Sequence, residues 1–254
     1  MKDTETVLFV RIITCEKGNY LIVKGKINYN MGYYIHLSSI SIDEYKDKLK
    51  ASDMLPSRMI LKERLDERFD YFKNIGIKNV SELQETLKKK EKLYELSKVN
   101  CLSGDYLPIL LREINSVHPK PNKIIEFLGI SPDLVSKLEK VGIKDTVGLF
   151  DKTKTQKSRK ELAGIANVSE QEILELTKLT DLSRVKWVGA TFARMLYDIG
   201  IDTVEKATNA DYNDLHKRIN QINKEKNFFK GQIGLNDMRR FVDAAKDVAL
   251  EIEY

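Results

Sequence analysis

The chain has little of what catalytic and metal-binding sites are usually built from. Its 254 residues include two cysteines, Cys15 and Cys101, and three histidines, His36, His118 and His216. The cysteines are too few and too far apart for a zinc cluster or a redox pair, and they fit a reducing compartment. No histidine has a second metal ligand at helical spacing. A Walker loop, a Gly-x-Gly-x-x-Gly turn after a strand, a His-Glu-x-x-His pair and a Gly-x-Ser-x-Gly elbow are all absent. These absences point away from an enzyme and imply neither cofactor nor metal. No apolar run approaches the ~18 residues that a membrane span needs. Val7–Ile13 is the most apolar stretch, but Arg11 interrupts it and no small-residue cleavage site follows. A cytoplasmic protein with no membrane contact is expected.

A one-sided charge is also missing where it would matter. The formal charge of +5 suggests nucleic acid as a partner. However, residues 121–183 hold 10 basic and 10 acidic side chains, residues 184–254 hold 12 and 11, and most of the excess lies in residues 1–64. The helical segments are therefore near neutral and carry no strong electrostatic footprint.

What is present is a helical pattern. Residues 1–30 stand apart, with two β-branched runs around Glu16-Lys17-Gly18-Asn19, and predict a short β-hairpin. Met31, where the character changes abruptly, is an alternative start. From Ser41 onward the pattern is helical. Ser41 and Glu44 form a capping box for a helix through about Ala51, with Tyr45 and Leu49 on one face. A further helix is predicted from Pro56 or Ser57.

Three Gly-Ile pairs, Gly76-Ile77, Gly142-Ile143 and Gly200-Ile201, reveal a repeat. Four residues before the glycines stand Phe72, Leu138 and Leu196, and seven before stand Phe69, Val135 and Ala193. That spacing makes one apolar stripe on a helix ending at a left-handed glycine. Asn79, Asp145 and Thr203 then cap a new helix, and Leu83, Leu149 and Ala207 continue the apolar pattern. Ser103 and Ser169 each follow their glycine by 27 residues and open a further helix, with Asn236 in that role in the longer third copy. A period near 60 residues exceeds that of common solenoids and predicts small five-helix units. The expected divisions are 1–30, 31–118, 122–180 and 181–254, with a boundary at Pro119-Lys120-Pro121.

The stretch from Lys186 to Ala207, followed by the helix around Asp211–Lys226 and by IGLNDMRRFVDAAKDV, resembles the helix-hairpin-helix family catalogued as domain of unknown function 4332. The resemblance runs from roughly Met31 to the C-terminus and is strongest over 181–248. It implies an all-α fold of tandem helix-hairpin-helix (SAM-like) units, similar to the carboxy-terminal domain of RNA polymerase alpha and to helix-hairpin-helix domains of DNA repair enzymes. It implies no established activity.

DNA-binding hairpins of this kind turn on Gly-apolar-Gly, which lets the backbone approach a phosphate at a helix N-terminus. The three turns here, aligned on the Gly-Ile pair, are Glu63-Arg64-Leu65, Gly129-Ile130-Ser131 and Trp187-Val188-Gly189, and none keeps both glycines. The third is the best candidate, with backbone donors at Gly189, Ala190 and Thr191 and charge from Lys186 and Arg194. The plainer alternative makes Gly189 a close-packing residue and leaves Lys186 and Arg194 solvated. Trp187, Phe228 and Phe229 are candidate anchors for a protein partner, unless they fold back over the core. The favoured function is a non-enzymatic scaffold for protein interaction, with weak, sequence-independent nucleic-acid binding through the third hairpin as the alternative.

Overall fold

The computed structural model describes residues 12–14, 20–22, 32–102 and 104–254. The chain divides into two units, Met1–Asn30 and Met31–Tyr254. In the first, strands β1 (Ile12–Thr14) and β2 (Tyr20–Ile22) pair antiparallel, with Ile13 opposite Leu21. The expected turn residues Glu16–Asn19 lie outside the described residues.

The second unit is all-α. It opens with α1 (Ile42–Ala51), where Ser41 accepts from the Glu44 N–H and Glu44 accepts from the Ser41 N–H. Pro56–Lys62 forms a 3-10 helix rather than an α-helix. Helices α2 (Leu65–Asn74), α3 (Val80–Lys88), α4 (Lys90–Ser97) and α5 (Tyr106–Asn115) follow. The same four-helix order recurs as α6 (Pro132–Lys140), α7 (Thr146–Phe150), α8 (Gln156–Ala166) and α9 (Glu170–Leu182). It recurs again as α10 (Ala190–Asp198), α11 (Val204–Thr208), α12 (Tyr212–Lys226) and α13 (Leu235–Ala245). Each repeat thus holds four α-helices, and the second also has a 3-10 turn at Ile124–Glu126. The added length of the third copy lies in the longer α12 and in the loop before α13.

The three Gly-Ile stops share one hydrogen-bond pattern. Gly76, Gly142 and Gly200 have φ of +89°, +86° and +81°. The Ile77, Ile143 and Ile201 N–H groups donate back to the carbonyls of Phe72, Leu138 and Leu196, and the glycine N–H groups donate to Lys73, Glu139 and Tyr197. This double closure satisfies carbonyls that the helix end would otherwise leave bare. The chain then extends to Asn79, Asp145 and Thr203, each of which accepts a backbone N–H three residues on.

The next N–H along is also satisfied in all three copies. Val80 N–H donates to the Ile40 carbonyl and Thr146 N–H to the Asn122 carbonyl. In the third copy Val204 N–H donates instead to the carboxylate of Asp181 at 3.1 Å. Asp181 is buried and also accepts from Arg184 at 2.8 Å and from the Tyr254 hydroxyl at 3.0 Å.

Two expected helix starts differ. Ser103 lies outside the described residues, and α5 has Asp105 at its N-cap with no side-chain bond. Asn236 does not cap α13. Gly234 holds that place, and Asp237 reaches back to accept its N–H at 3.2 Å.

Two apolar cores form. One spans Leu37 to Ile114 and includes Phe69, Phe72, Leu83 and Tyr106. The other spans Ile124 to Val248 and joins the second and third repeats, with Leu138, Leu176, Leu196 and Phe241 inside it. Each such fully buried side chain contributes about 1.5–3 kcal/mol. The cores part around Pro119-Lys120-Pro121, yet polar contacts cross between them. Lys48 pairs with Asp247 at 2.8 Å, Asp53 with Arg239 at 2.8 Å, and the Tyr33 hydroxyl lies 2.8 Å from Thr146 Oγ1.

Candidate functional site

The turn between α9 and α10 is anchored from below. Val185 and Val188 are buried on either side of Lys186 and Trp187, which fixes the loop against the second core. Trp187 has φ +70° at the place where the second repeat has Gly129 with φ +84°. A bulky L residue in this left-handed region clashes with its own carbonyl. The indole is 49% exposed. In the first repeat the left-handed residue is Arg64 rather than Glu63, and its guanidinium holds Glu67 at 2.7 Å.

The five residues predicted for a phosphate do not share one free basic surface. Gly189 is the N-cap of α10 in an extended conformation, with no side-chain cap. Nothing lies within 4 Å of where a Cβ would sit, so Gly189 is not a close-packing glycine. Ala190 is buried and Thr191 half-buried. Lys186 contacts the Glu113 carboxylate and lies 4.3 Å from the centre of the Trp187 ring. Burial and the nearby Arg58 guanidinium push its ammonium down to about 7. Arg194 is buried and pairs with Glu175 at 2.5 Å and Asp198 at 3.5 Å. Its guanidinium passes 3.5 Å from the space a Cβ on Gly129 would fill and so lies against the turn of the second repeat. Lys186 and Arg194 are therefore held by carboxylates and are not solvated.

The predicted aromatic anchors divide. Phe229 is 41% exposed, whereas Phe228 packs on the second core. Two asparagines that no sequence motif marks hold this loop. Asn223 accepts from the Phe229 N–H at 2.7 Å and donates to the Gly231 carbonyl, while Asn220 bonds both the N–H and the carbonyl of Ile233.

Beside Trp187 a cavity of about 400 Å³ opens between the two cores. Its walls come from α1, the loop after it, the end of α5, the Lys186 turn and α13. Glu113, buried near the end of α5, accepts from both Arg58 and Lys186. Tyr45 lines the same space, is buried, and its hydroxyl has no partner. Glu113 and Arg58 do not stand out in the sequence because they meet across 55 residues. The one local signal was an acid inside the apolar run of α5. Among the described residues, no three His, Cys, Asp or Glu side chains gather as a metal site, and no helix is long and apolar enough to cross a membrane.

Fold and site together define an all-α protein of helical repeats, with an exposed indole at the rim of an inter-core cavity. Residues 128–248 match the family described as Domain of unknown function (DUF4332). Residues 31–127, which the resemblance also took in, lie outside that match. No curated protein and no solved structure matches the chain.

Proposed function

We propose that the protein is a non-enzymatic helix-hairpin-helix scaffold that binds another protein, with Trp187 as the anchor of that contact. The carrying observation is the half-exposed indole in a left-handed backbone. A turn alone is served by glycine, as at Gly129, whereas an aromatic here costs about 1–2 kcal/mol. Strain of this kind persists at sites of use, and tryptophan is the side chain most often found at the centre of an interface. Phe229 offers a second exposed aromatic, and a helical repeat presents a broad surface to a partner. The uncapped start of α10 keeps a nucleic-acid reading in view. Its charge is weakened, because Lys186 and Arg194 already face carboxylates.

The test is affinity capture from the native cell with the full chain and with Trp187→Gly, each with and without nuclease. Capture that survives nuclease and is lost in the variant is expected. Capture that nuclease abolishes, or that the variant keeps, overturns the proposal.

A further inference from the structure

The cavity beside Trp187 has a chemistry of its own, independent of any protein partner. At about 400 Å³ it falls in the size range of small-molecule sites. Much of its wall is apolar, from Leu49, Met54 and Val248 among others. Its polar end is unbalanced. Arg58 and Lys186 share the single carboxylate of Glu113, and the three side chains are only 15%, 18% and 11% exposed. The other cations on the wall have further acids to pair with, Asp247 for Lys48 and both Asp53 and Asp237 for Arg240. Two cations thus compete for one carboxylate in a largely desolvated place, where an ammonium without a counter-ion of its own is costly to keep charged.

We propose that this cavity binds a small monocarboxylic acid with an apolar tail. The ligand carboxylate supplies a second anion for Arg58 and Lys186, while its tail lies along the apolar wall toward Trp187. An uncharged ligand of the same length would fill the wall but leave both cations on one carboxylate.

Trp187 is the chain's single tryptophan, so its emission reports directly on this site. The full chain is titrated with sodium octanoate and, separately, with 1-octanol. A saturable change is expected with octanoate, at least tenfold tighter than with octanol. Lys186→Met should weaken octanoate at least tenfold and leave octanol unchanged. Lys186→Gln removes the charge and keeps a polar side chain at the same place. It should weaken octanoate about threefold, which keeps the test open if Lys186→Met does not fold. No saturable response, equal affinity for acid and alcohol, or unchanged octanoate binding in a folded variant overturns the proposal.

Discussion

Trp187 and Gly129 occupy equivalent turns with nearly the same backbone, φ +70° and +84°. They differ in what the turn can display. The glycine has the Arg194 guanidinium of the following repeat lying against it, and the tryptophan sends an indole to the surface. Trp187→Gly is expected to raise stability by about 1 kcal/mol, since relief of the left-handed clash outweighs both the lost Lys186 contact and the added freedom of the unfolded chain. Urea unfolding followed by circular dichroism measures this. A variant less stable than the parent would show that the indole is held for packing instead.

At the scale of elements, each Gly-Ile stop closes one helix and aims the next, and the third adds a charge cluster. Asp202, just after Gly200-Ile201, accepts from Lys178 of α9 at 2.6 Å and from Lys206 of α11 at 2.5 Å. Burial alone would raise its carboxyl, but the two lysines more than offset this and hold it below the usual range. A carboxyl lowered by folding stabilises the native state above its unfolded pKa near 4, and that contribution is lost as pH falls through the lowered folded value. Asp202→Asn should therefore cost about 1 kcal/mol at pH 7, as for a partly exposed pair, and almost nothing near pH 2. Urea midpoints at the two pH values check it, and a gap that does not close with acid counts against the pairing.

These elements were legible because their causes are local. A stripe at four and seven residues before a glycine, followed by a capping residue, needs no knowledge of the rest of the chain. The left-handed asparagines that end α8 and α12, Asn167 and Asn227, are local in the same sense, but they lack the glycine that marks the other stops. What was not legible depends on distance. Lys186 and Arg194 read as surface charges until Glu113 and Glu175 are brought to them. Tyr45 read as one of an apolar pair with Leu49, and nothing in its own helix shows that its hydroxyl is buried without a partner. Asn236 had the right residue type for a cap, yet the chain turns two residues earlier, at Gly234.

At the scale of the whole second unit, two apolar cores meet through polar side chains, and Glu113 is central to that junction. It is buried and holds Arg58 from the first core's own segment and Lys186 from the turn before α10. Removing it leaves two buried cations facing each other, and Glu113→Ala should cost about 3 kcal/mol. Chemical denaturation checks this. A loss under about 0.5 kcal/mol, the range of ordinary surface substitutions, would mean that water already screens the pair.

Asp181 carries a consequence of a different kind. In the first two repeats the bond that receives the new helix is made by peptide groups, Ile40 and Asn122, and any side chain at those places leaves it intact. In the third repeat the same bond depends on one side chain, which also serves Arg184 and Tyr254. A single codon change at Asp181 can therefore undo a connection that the other two copies hold independently of sequence. The third repeat, which carries Trp187, is the one whose joint a single substitution can break.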